Sequence, residues 1–150
     1  YSFFLIVNLL KNTMTASVVY TKDLRTFCTH VQSRSTIETD APTDNQGKGE
    51  RFSPTDLLAV SLASCMLTTM AIKARDLEAA LQKVRIDVEK IMSWNPRRVS
   101  KIILTFHYPE QFELSTERKS ELEAIAWSCP VKESIHPDID VQVNFNWPTT

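Results

Sequence analysis

Residues 53–73 read SPTDLLAVSLASCMLTTMAIK, and the fold turns on this stretch. Ser53 is a favoured N-cap and Pro54 suits the first helical position. Asp56 lies three residues after the serine, where an acid can complete a capping box. From Leu57 to Ile72 there is no glycine, no proline and no charge. A helix apolar on nearly all sides is a buried one. Ser61, Ser64, Thr68 and Thr69 interrupt the apolar run, which barely reaches the roughly 20 residues a bilayer span needs. The segment therefore reads as a core helix with polar flanks, not a membrane span.

Working outward, TASVVYT, RTFCTHVQ and STIETD before the helix are short segments of β type. Lys22-Asp23-Leu24 and Ser33-Arg34 fit tight connections, so these three read as an antiparallel meander. The polar stretch from Ala41 to Arg51 carries a proline and both glycines of the chain, Gly47 and Gly49, and reads as a loop. After an ill-defined stretch at 76–82, KVRIDVEKIMS and RVSKIILTFHY alternate as two strands joined by Trp94-Asn95-Pro96-Arg97. TERKSELEAIAWS has helical spacing, with Leu122, Ile125 and Ala126 on one face. Ser128-Cys129-Pro130 breaks that helix, and Pro130 suits the start of another turn. IDVQVNFNW closes the domain as a strand. The order βββ–α–ββ–α–β indicates an α+β domain built on antiparallel sheet and a buried central helix.

The chain of 150 residues suits one domain, taken here as 14–150. Residues 1–13, opening YSFFLIVNLL, have too short an apolar run for a membrane helix and match a secretory signal poorly. They are expected to be an upstream or added segment, or else an extra edge strand or a docking helix. A formal net charge of −1 provides no global field for nucleic acid or an anionic membrane. Two glycines leave no room for a glycine-rich phosphate loop. His30, His107 and His136 form no short-spaced ligand pair, so no metal is expected. Three cysteines suit a reducing, cytoplasmic setting better than a disulfide scaffold.

Cys28 alternates with Thr26 and His30 in a strand and reads as packing. Cys65 lies deep in the central helix, where the dipole of the N-terminus has faded and burial disfavours the thiolate. On pattern alone it packs, unless a cation from elsewhere activates it. Cys129 is a plausible N-cap of the turn opening at Pro130, where backbone N–H groups favour a thiolate.

The segment FSPTDLLAVSLASCMLTTM, followed by SCPVKESI, resembles the OsmC/Ohr family of thiol-dependent peroxide-resistance proteins, in its OsmC-like branch. The two cysteines stand 64 positions apart (129 − 65), a spacing typical of that family. The resemblance runs from Thr15 to the last strand. It implies an intertwined homodimer with sheets around paired central helices and active sites at the interface. It implies a peroxidatic Cys65, a resolving Cys129 and Arg25 as the cation that supports the thiolate. Organic or small hydroperoxides would be the substrates and an external dithiol the reductant, with no cofactor. The family places a glutamate directly after the helix-opening proline to orient the arginine. Here that position is Thr55, with Asp56 next, so Asp56 either substitutes or serves the capping box. Glu38 and Glu50 are further candidates for the same role. Trp127, two residues before Cys129, is a candidate wall for an apolar pocket. The missing glutamate keeps another reading open, a non-catalytic dimer of the same fold that binds hydrophobic ligands or serves structurally.

Overall fold

The computed structural model describes residues 14–148. The expectation for residues 1–13 falls outside the described residues. The chain divides at Pro54/Thr55 into two compact units.

The first unit carries one sheet, β1 (Ala16–Tyr20), β2 (Arg25–His30) and β3 (Thr36–Asp40), antiparallel in the order β1-β2-β3. The β1–β2 connection is a tight turn in which Arg25 N–H donates to the Lys22 carbonyl at 3.0 Å. Its central residues Asp23 and Leu24 both have positive φ, 55° and 60°. That is the hairpin geometry whose twist matches the strands, and it suits Asp better than Leu. At the second turn Arg34 takes φ 63°. Beyond β3, the loop doubles back through a 3₁₀ turn at Thr43–Asn45. Gly47 is obligatory there, because a Cβ would stand 1.6 Å from the Ala41 carbonyl oxygen.

Helix α1 (Pro54–Lys73) follows. The second unit continues with a 3₁₀ turn at Arg75–Leu77, a single turn α2 (Glu78–Leu81), β4 (Arg85–Trp94) and β5 (Arg97–His107). Next come α3 (Thr116–Trp127), α4 (Pro130–Ser134) and β6 (Asp140–Asn146). The stretch at 76–82 that periodicity left undefined thus holds helical turns too short to show a repeat.

By length and composition α1 could cross a membrane. Instead Ala59, Leu62, Ala63, Met66 and Met70, at helical spacing, are buried in one core with Ile102, Leu104, Phe106, Leu122 and Cys129. It is a core helix on that face, while Leu58 and Ile72 on its other sides are exposed.

The second sheet has the order β4-β5-β6. Opposite Ile91 and Met92 the register of β5 jumps from Lys101 to Val99, so Ser100 is an extra residue. A bulge of one residue switches which parity faces inward. Val99 is buried before it, and Ile102, Leu104 and Phe106 after it. The sheet corrects one expectation, since it is not wholly antiparallel. β6 runs parallel to β5 along Lys101–His107. The connection between them contains two helices, long enough to return the chain to the end from which β5 started. The result is an α+β fold with two three-stranded sheets and a long central helix.

Candidate functional site

The chemistry-bearing residues form two groups, one in each unit. In the first, β2–β3 register places Arg25 directly opposite Asp40. Arg25 Nε donates to Asp40 Oδ1 at 2.6 Å and Nη2 to Asp40 Oδ2 at 2.9 Å. Nη2 also donates to Glu50 Oε2 at 2.7 Å. Asp40 is 1% exposed, and its Oδ2 further accepts the Glu50 backbone N–H at 3.0 Å. The loop turned by Gly47 therefore brings Glu50 back to the end of β3. Hydrogen bonding from Arg25 holds the Asp40 carboxyl below its ordinary range, and the two carboxylates push the guanidinium pKa further up. A buried carboxylate with two donors from one guanidinium has its charge compensated and its direction fixed. The same surface holds a cavity of about 400 Å³ lined by Lys22, Arg25, Glu38 and Lys48, among others. Glu38 is paired with Arg51 at 2.9 Å.

Asp40 was not among the candidates drawn from the sequence. The signal was present, because pairing residues across the Ser33-Arg34 turn sets the start of β2 against the end of β3. Asp56 is engaged elsewhere, accepting from Lys90 Nζ at 2.6 Å, and Lys90 also reaches Thr55 Oγ1 at 2.9 Å. Lys90 shares the inward parity of β4 with Ile86, Val88 and Met92, and an inward ammonium needs such partners.

In the second unit Cys65, half-buried on α1, and Cys129, fully buried, are both free thiols. Cys129 is the N-cap of α4, its Sγ accepting the Lys132 N–H at 3.3 Å. Its thiol is nonetheless pushed up in pKa, first by burial and then by hydrogen bonding to Cys65, against the backbone N–H groups of Lys132 and Val131. The N-cap geometry is thus as the sequence suggests, while desolvation outweighs its effect on charge. Two thiols 64 positions apart thus lie near enough for Cys65 to raise the Cys129 pKa, one half-buried and one enclosed. Cys28 lies on β2, with its sulfur 3.8 Å from Thr26 Oγ1. Trp127 is 37% exposed, whereas Phe145 and Trp147 join Phe106, Tyr108 and Phe112 in an aromatic cluster.

An α+β chain of two small sheets, with a neighbouring cysteine pair split between a core helix and a later N-cap, defines a class of small thiol proteins. The family profile described as OsmC-like protein matches residues 47–144, and the chain belongs to that family. A protein of Psychrobacter arcticus 273-4, described as an osmotic stress induced and detoxification response protein, is 48% identical, with TM-score 0.84 over 90% of this chain and 97% of that one. The organic hydroperoxide resistance protein OsmC of Legionella pneumophila shares the fold at 18% identity, with TM-score 0.69 over 90% and 98%. OhrB of Bacillus subtilis, an organic hydroperoxide resistance protein, does so at 16% identity, with TM-score 0.55 over 89% and 98%. A search of curated proteins gave no match.

Proposed function

We propose that this chain is a cysteine-dependent peroxidase that reduces organic or small hydroperoxides, serving oxidative-stress defence in the cytoplasm. The observation that carries this reading is the proximity of half-buried Cys65 to buried Cys129, near enough to raise its pKa. Cys65, the less buried of the two, is the peroxidatic residue. Its thiolate attacks the terminal oxygen of ROOH, the O–O bond breaks, and the alkoxide leaves as ROH with a proton, giving a Cys65 sulfenic acid. Cys129 then attacks that sulfur, and water departs as the Cys65–Cys129 disulfide forms. An external dithiol reduces the disulfide and is itself oxidised, so no cofactor is needed. Attack requires a thiolate, and Arg25 is the cation assigned to favour it. Membership of a family that includes hydroperoxide resistance proteins supports this assignment.

The working unit is a homodimer. All five residues of β1 are exposed, and its Val18, Val19 and Tyr20, with Phe27 and Ile37, give the first sheet apolar surface that is exposed among the described residues. Leu58 and Ile72 add apolar surface on α1. Surface of this kind is the mark of an interface. Native mass measurement is expected to give a dimer at micromolar concentration, and a monomer would remove the dimer from the proposal.

Thiol counting tests the chemistry. Equimolar cumene hydroperoxide is expected to consume two of the three thiols, and Cys65→Ser to prevent the loss. If all three remain titratable, the peroxidase reading is wrong and the non-catalytic ligand-binding dimer takes its place.

A further inference from the structure

In this chain the position after the helix-opening proline is Thr55, and the neighbouring Asp56 is engaged by Lys90. The guanidinium of Arg25 is held by other means. Of its five N–H donors, the one on Nε and both on Nη2 are directed to carboxylates, two to Asp40 and one to Glu50. The two on Nη1 meet no acceptor among the described residues.

The two carboxylates differ in kind. Asp40 is almost wholly buried, faces Arg25 across the β2–β3 ladder, and has one oxygen shared with the Glu50 N–H. It cannot swing away without breaking three hydrogen bonds. Glu50 is 57% exposed, and its carboxylate is held by the hydrogen bond from Nη2. An exposed ion pair of that kind is individually weak.

We infer that Asp40 is the positioning residue for Arg25, taking the part that an acid after the helix-opening proline would otherwise play. By gripping the Nε/Nη2 edge it leaves the two donors of the Nη1 edge, which meet no acceptor among the described residues, for an anion. Glu50 is an auxiliary that steadies the same edge. This inference rests on the reading that Arg25 supports the Cys65 thiolate, and it adds the element that aims it. Asp40 itself touches no reacting atom, and its effect is transmitted wholly through Arg25.

The test compares wild type with Arg25→Met, Asp40→Asn, Asp40→Glu, Glu50→Gln and the double variant Arg25→Met/Asp40→Asn. Two quantities are read on folded protein: the cumene hydroperoxide reduction rate, and the pH dependence of Cys65 alkylation by iodoacetamide. Arg25→Met is expected to lose about 100-fold in rate, the scale of one lost anion-stabilising group. Asp40→Asn should lose about tenfold, with the alkylation midpoint raised by about one pH unit. Glu50→Gln should change both far less. In the double variant, Asp40→Asn should add nothing to the loss from Arg25→Met.

Asp40→Asn with a wild-type rate and alkylation profile would overturn the inference. So would a loss that persists undiminished in the Arg25→Met background. Should Asp40→Asn fail to fold, Asp40→Glu decides. Its longer arm keeps the charge but cannot hold both donors without moving Arg25, so an unchanged rate in the folded variant refutes the positioning role. If Arg25→Met keeps the full rate, the assignment of Arg25 itself fails. If Arg25→Met is impaired and Asp40→Asn is not, only the present inference fails.

Discussion

Replacing Gly47 by alanine tests whether the loop before α1 is a rigid arm that delivers Glu50 to the Arg25 group. A Cβ at Gly47 would stand 1.6 Å from the Ala41 carbonyl oxygen, 2.1 Å from its carbonyl carbon and 2.8 Å from its Cα. All three are backbone atoms, so no side-chain rotation relieves the clash. Clearance of about 3 Å requires the two backbones to part by more than 1 Å, which hydrogen bonds near 2.9 Å do not survive. The first to go is Gly47 N–H to the Pro42 carbonyl, 3.0 Å. Three residues on, the Glu50 N–H bond to Asp40 is the next exposed to the displacement.

With about 1 kcal/mol for each lost hydrogen bond and a similar amount for backbone distortion, Gly47→Ala should cost roughly 2–3 kcal/mol. For a chain of this length that is a fall in Tm of about 4–12 °C. Gly49→Ala is the control. Gly49 has φ +65°, and its added Cβ would meet the Thr43 side chain at 2.7 Å, a group that can turn aside. Its cost should be nearer 1 kcal/mol, that of a left-handed alanine. Thermal unfolding followed by far-ultraviolet circular dichroism compares the two, and peroxide reduction reads the effect on Arg25. If Gly47→Ala melts with wild type, or costs less than Gly49→Ala, the close approach does not organise this loop.

Leu24→Asn should stabilise the protein by roughly 0.5–1 kcal/mol in chemical denaturation, because Asn tolerates the φ of 60° found there better than Leu. Leu62→Ala removes a fully buried core side chain of α1 and should cost about 2–5 kcal/mol by the same measurement. Cys129 predicts a pH dependence. Its pKa is raised in the folded chain from an ordinary 9.0, so above that pH the unfolded chain loses the proton first. Stability attributable to this thiol is complete below pH 9.0 and declines as pH rises beyond it. Urea midpoints between pH 8 and 10 should therefore fall more steeply for wild type than for Cys129→Ala, and equal slopes would contradict the burial argument.

The central helix was legible because its determinants are local. Ser53-Pro54 at its start and the uncharged run to Ile72 act within a few turns, and the structure places the helix at Pro54–Lys73. Strand positions were legible for the same reason, as alternation is a local signal. The sense of β6 was not, since an alternating segment pairs equally well in either direction. What settles it is the path taken by α3 and α4. The bulge at Ser100 was likewise hidden, because it depends on which β4 residue faces it.

The candidate site divides along the same line. Cys65, Cys129 and Arg25 stand out as residue types in a recognisable order, and the N-cap at Cys129 follows from Pro130. The sequence by itself determined the elements, the helix that carries Cys65 and the pair of thiols to watch. Only the tertiary structure decided that the two thiols come near each other, that burial rather than the N-cap dominates Cys129, and that Asp40 holds Arg25 while Asp56 answers to Lys90. Capping and periodicity act between neighbours along the chain, whereas desolvation and ion pairing depend on which distant segments come to share the same few ångströms.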